Sequence, residues 1–82
     1  MKNYKLTESY IEAADTASLN ALVDSLKFDE ILSLLEKLSD DRKVVVFEVL
    51  DEYIAIKCFK VLPEKTRQAL IKKMPPAKAA KL

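Results

Sequence analysis

Apolar residues return at every twelfth position along most of this chain. Leu26, Leu38, Leu50, Leu62 and Met74 form one ladder. Leu22, Leu34, Val46, Cys58, Leu70 and Leu82 form a second column, and Val23, Leu35, Phe47, Phe59 and Ile71 a third. All sixteen positions are apolar in a chain that is 50% apolar overall. Chance would fill them about once in tens of thousands of trials, so the period belongs to the sequence. Within a unit the spacing is helical: Ile31, Leu34, Leu35 and Leu38 fall at i, i+3, i+4 and i+7, as do Leu19, Leu22, Val23 and Leu26.

Between the stripes lie residues that start and stop helices. Met1 to Leu6 reads as a frayed lead-in, with Thr7 as N-cap of a short helix through Ala14. Asp15 and Thr16 offer side-chain oxygens that restart a helix through Leu26. Lys27 and Phe28 form a tight connection, followed by a helix over Asp29–Leu38. Ser39 caps the next helix, and Asp40 and Asp41 place negative charge in its first turn. The stretch Arg42–Leu50 contains Val44, Val45, Val46, Phe47 and Val49, which propensity alone reads as a strand. The three columns run through it in register, so it is read as a helix buried on more than one side. Asp51 caps a helix through Leu62. Pro63 fits the first turn of the following helix, which ends at Lys72 and Lys73. Pro75 and Pro76 make the next break, and Ala77–Leu82 begins another helix.

Each unit is thus about nine helical residues and a turn of about three, a helix too short to stand alone in water. Its stripe needs neighbours. The expected fold is all-α, a superhelical stack of about six or seven short helices with a 12-residue repeat, consecutive units pairing as hairpins. Residues 1–82 are expected to form one domain. The last helix stops at Leu82 before its stripe is complete, so the chain is expected to be a segment of a longer one. The apolar end thus left open is expected to pair with a second copy at high concentration.

Composition narrows the chemistry. The 82 residues carry 14 Lys and Arg against 13 Asp and Glu, a net charge of +1, which argues against a nucleic-acid binder. There is no His, no Gly and no Trp. Cys58 is the only cysteine and lies on the second column, so it reads as a small buried hydrophobe. No nucleophile–base pair, phosphate-cradling loop or zinc centre can be assembled from these residues, which sets an enzyme aside. No apolar run approaches the ~20 residues of a membrane span, and the start lacks the apolar core of a secretory signal. Lys72, Lys73, Lys78 and Lys81 are spread over two helices and read as a solvated face.

Four consecutive units, DEILSLLEKL, SDDRKVVVFEVL, DEYIAIKCFKVL and PEKTRQALIKKM, follow one pattern from residue 29 to 74. Each runs from an acidic or Pro break through an aliphatic stripe to a closing apolar residue. Over Leu26–Leu82 the chain resembles the intracellular N-terminal domain of MgtE-type magnesium transporters. It departs from that family's pattern at Phe28, where Pro is common, and at Glu52, which follows Asp51 where Pro is common. The resemblance implies a cytosolic domain on the inner side of the cell membrane, followed by CBS domains and a dimeric transmembrane channel. In that family Mg²⁺ held between this domain and the CBS domains favours a closed state. The partners implied are the CBS and transmembrane domains of the same chain, in a homodimer, with no nucleic acid.

The family's acidic position in the unit ending at Leu62 falls on Lys57. No metal ligand is therefore assigned, no catalytic or cofactor-binding residue is named, and no tightly bound Mg²⁺ is expected on this segment by itself. Asp40, Asp41, Asp51 and Glu52 read as caps and dipole partners. A second reading is a HEAT-like interaction module related to flagellar motor-switch proteins. The Glu-His-Pro-Gln signature of those proteins is absent here.

Overall fold

The ladder residues lie between the helices, and that placement sets the period. The computed structural model describes residues 2–82. Its helices are α1 (Lys2–Glu12), α2 (Thr16–Asp24), α3 (Phe28–Lys37), α4 (Asp40–Val49), α5 (Glu52–Val61), α6 (Glu64–Lys73) and α7 (Pro76–Ala79). Leu38, Leu50, Leu62 and Met74 each follow the last residue of a helix, with φ from −90° to −73° and ψ from 144° to 151°. The next residue, Ser39, Asp51, Pro63 or Pro75, is extended as well and precedes the next helix. Ten helical residues and two extended ones make the twelve. Each connection is therefore shorter than the three-residue turn the pattern suggested.

Local chemistry accounts for these links. The N–H of Leu50 still reaches Val46 O at 3.1 Å and that of Met74 reaches Leu70 O at 2.9 Å, so the backbone stays satisfied as the helix ends. Ser39 Oγ accepts from Arg42 N, and Asp51 Oδ2 accepts from Tyr53 N at 3.1 Å. Pro63 and Pro75 bring no N–H to satisfy, and each biases the rung before it toward extended backbone. Pro63 is thus the residue ahead of its helix, not part of the first turn. At Lys27 the N–H donates to Glu30 Oε1 at 2.8 Å, so α3 opens at Phe28.

The N-terminal part differs most from expectation. Lys2–Leu6 is helical, not a frayed lead-in, and Met1 lies outside the described residues. Thr7 is no N-cap. It is fully buried inside α1, and its hydroxyl donates to Asn3 O at 2.7 Å, four residues back, which lets a polar group enter the core satisfied. α1 ends at Glu12, and Ala14 adopts φ 54°. The Asp15 N–H then reaches back to Tyr10 O at 2.9 Å and closes a Schellman-type end without glycine. Asp15 caps α2 by accepting from Ser18 N. Ser18, first through its side chain and then through its N–H, holds the Asp15 carboxyl below its ordinary pKa. α2 stops at Asp24, so Leu26 lies in the link to α3 and is only half-buried.

The helices form two rows. α2, α4 and α6 pack in one, α1, α3 and α5 in the other, with α1 also against α2 and α4. α1 and α2 pair as a hairpin of consecutive helices, as expected, but from α3 onward the main backbone contacts are between alternate helices. The two-residue extended link passes the chain to the other row before it can fold back on itself. α4 therefore has neighbours on several sides, which is why its valines are helical: Val44, Val46 and Phe47 are buried and Val45 and Val49 half-buried. The second column is the deepest, with Leu34, Val46, Cys58 and Leu70 all at or below 1% exposure, while Leu22 and Leu82 at its two ends are half-buried. In the third column Val23, Leu35 and Phe47 are buried, Phe59 is half-buried and Ile71 is exposed. Phe47 and Phe59, one unit apart, meet edge-to-face with centroids 6.3 Å apart.

Candidate functional site

The acids at helix starts are caps or members of exposed ion pairs. Asp51 caps α5. Asp40 lies 3.5 Å from Lys43, Asp41 2.9 Å from Lys73 and Glu52 3.9 Å from Lys81. The hydrogen bond from Lys73 to Asp41, then the charge of Asp41, hold the Lys73 ammonium above its ordinary pKa. Asp41 and Lys73 link the start of α4 to the end of α6. Among the described residues no three of Cys, Asp and Glu stand close enough to hold a metal ion. What these carboxylates do here is cap helices, balance dipoles and tie neighbouring units.

Arg42 is a stronger tie, missed by the sequence reading. Its guanidinium pairs with Glu8 and, through Nη2 at 3.1 Å, with Glu12. Glu8 and Glu12 are four apart on α1, one turn of one face, so a single Arg on α4 grips both. The signal available in the sequence was that i, i+4 acid pair, with nothing to say which base would meet it.

Lys57 is exposed on α5 with its ammonium 4.7 Å from the centroid of the Phe28 ring and 5.4 Å from that of Tyr53. It is a cation between two aromatic faces, each such contact contributing about 0.5–1 kcal/mol at an exposed site. Cys58, next to it, turns inward and is fully buried. Burial pushes its thiol up to about 11, against a weaker downward pull from Lys57.

Two concavities adjoin these groups. One, of about 90 Å³, lies where α4, α5 and α7 meet the Met74 link, walled by Phe47, Leu50, Met74 and Leu82 and rimmed by Glu52 and Lys81. That is well short of the ~300 Å³ at which small-molecule pockets begin. The other is an open groove on α5 and α6 lined by Phe59, Glu64, Arg67, Gln68, Ile71 and Lys72. Lys78 closes the first by donating to Glu48 O at 3.3 Å, and Lys81 by pairing with Glu52. Two of the four tail lysines thus hold α7 in place, a third binds Asp41, and Lys72 faces the groove.

The fold defines a domain of stacked short helices, tied between units by ion pairs such as Arg42 with Glu8 and Glu12 and Lys73 with Asp41. Within that class the assignment is specific. The family model of the MgtE intracellular N domain matches residues 26–82, and the chain belongs to that family. The match begins at the Leu26 link and takes in α3 to α7, with α1 and α2 ahead of it. No curated protein and no solved structure matches the chain. Phe28 and Lys57, the positions where Pro and an acid were expected from the family pattern, turn out to be in contact with each other.

Proposed function

We propose that this is the cytosolic regulatory domain of an MgtE-type magnesium transporter. It docks against the CBS domains of the same chain when Mg²⁺ is abundant and separates when it is scarce, closing or releasing the pore of a homodimeric channel. The observation that carries the reading is the family match over residues 26–82, which spans four uninterrupted twelve-residue units of this stack. No described helix is long and apolar enough to cross a membrane.

The residues present do not fit an Mg²⁺ site of their own. Mg²⁺ takes oxygen ligands in near-octahedral geometry. Here Asp40, Asp41 and Glu52 are paired with lysines, Asp51 caps α5, and an ammonium stands at position 57. What this chain contributes to gating is a stiff body with a fixed surface. An ion shifts a two-state equilibrium only through its differential affinity for one state, and that difference belongs to the docked interface.

The test is made on the full-length transporter. Deleting residues 26–82 is expected to leave conduction intact and to shift its block by internal Mg²⁺ to higher concentration. An unchanged Mg²⁺ block overturns the regulatory reading. The isolated chain is expected to show almost no rise in melting temperature with millimolar Mg²⁺, and a large rise specific to Mg²⁺ over Ca²⁺ would contradict the absence of a self-contained site.

A further inference from the structure

The third column marks where the stack is left uncovered. α5 packs on α3 and α6 on α4, and the column residues Leu35 and Phe47 of the inner pair are buried. Phe59 on α5 and Ile71 on α6 hold the same register one and two units on, yet Phe59 is half-buried and Ile71 is 39% exposed. No helix of the described residues lies over them. The open groove between them has Phe59 and Ile71 as its apolar floor, the kind of surface another helix stripe would cover.

Its polar lining gives the chemistry of that helix. Arg67 and Lys72 flank the apolar floor together with Glu64, which accepts from Gln68, and among the described residues neither cation has a carboxylate within 4 Å. The Nε of Arg67 is buried without a hydrogen-bond partner, a donor whose desolvation is uncompensated. The wider field has the same sign. Residues 63–82 carry six Lys and Arg against one Glu, and with Lys73 and Lys81 paired to Asp41 and Glu52 the excess that remains is Lys65, Arg67, Lys72 and Lys78 against Glu64. A second copy of the same end would bring Arg67 and Lys72 against their own kind, which disfavours the homotypic pairing expected from apolarity alone.

We infer that the α5–α6 groove is a docking site for an acidic amphipathic helix. Apolar residues at i, i+3, i+4 and i+7 would lie over Phe59 and Ile71, and a carboxylate would reach the Arg67 guanidinium beside Lys72. This does not rest on the transporter reading, because the occupant is defined by its stripe and its charge.

The test uses two synthetic helices, stapled to hold their conformation, with Leu at i, i+3, i+4 and i+7. One carries Glu on the flanks and the other Lys. The Glu helix is expected to bind, with amide shifts confined to α5 and α6 and affinity falling as salt is raised. Ile71→Ser, a surface change that leaves the circular dichroism spectrum intact, should weaken it by about tenfold or more. Arg67→Glu should reverse the preference toward the Lys helix. Equal binding of both helices, shifts that map elsewhere, or no binding at millimolar peptide overturns the proposal. So does concentration-dependent self-association abolished by Ile71→Ser, which assigns the groove to a second copy. Phosphatidylserine vesicles that displace the Glu helix would reassign it to a membrane.

Discussion

Val61 and Leu62 are adjacent aliphatic residues at the end of α5, and only one belongs to the ladder. Leu62 is 8% exposed and Val61 59% exposed. Leu62→Ala removes three buried carbons, about 2.4 kcal/mol at ~0.8 kcal/mol for each. The cavity left behind raises the cost toward the upper part of the range of about 2–5 kcal/mol. The backbone adds little, because alanine takes the extended conformation before Pro63 as readily as leucine does. Val61→Ala loses less than half as much buried surface and gains helix propensity, so its net effect should lie within about 0.5 kcal/mol of zero. A domain of 82 residues has a total stability of only about 4–12 kcal/mol, so the contrast is large. Urea unfolding followed by far-UV circular dichroism should show a lowered midpoint with unchanged slope for Leu62→Ala and wild-type behaviour for Val61→Ala. The melting temperatures should differ by about 10–20 °C or more. Equal costs, or a larger cost at Val61, would refute the ladder as the core.

Other outcomes follow from single features. Ala14→Gly should stabilise by about 0.5–1 kcal/mol, since glycine accepts the left-handed φ of 54° that alanine resists, with thermal melting as the check. The folded-state pKa of Cys58, about 11, lies above its ordinary 9.0, so its contribution to stability is intact below pH 9 and is lost as pH rises toward 11. Reaction of that thiol with a chromogenic disulfide at pH 8 should be limited by unfolding, and native-state labelling as fast as a free cysteine would contradict its burial. Arg42→Met should cost about 1 kcal/mol and raise hydrogen exchange in α1, because it releases both Glu8 and Glu12.

Side-chain burial was legible in the sequence, and backbone conformation at the links was not. The columns located the core from Val23 to Met74, and Asp15, Ser39 and Asp51 were identifiable as caps because capping is local chemistry. Register overruled the strand propensity of Val44–Val49, since α4 has packing partners on several sides. Periodicity reports which side chains are inside and is blind to φ and ψ, so the rungs looked like last helical residues when they are extended links. Thr7 carries the residue type of a cap, and only its burial and its bond to Asn3 O show otherwise. Phe28 and Lys57 are far apart in sequence, and nothing local announces their contact. Ile71 fits the third column perfectly yet is exposed, because a column position is buried only when a later helix covers it. The acids at the helix starts resolved into caps and ion pairs once their lysine partners were placed.

The sharpest check on a stack built from ten-residue helices and two-residue links is the backbone at every twelfth position. Carbon chemical shifts of the isotope-labelled protein should read extended at Leu38, Leu50, Leu62 and Met74 and helical on both sides of each pair of link residues. The amides of Leu50 and Met74, bonded to Val46 O and Leu70 O, should exchange slowly despite lying outside the helices. Helical shifts running unbroken through any of these four positions would contradict the unit of ten helical and two extended residues on which the fold is built.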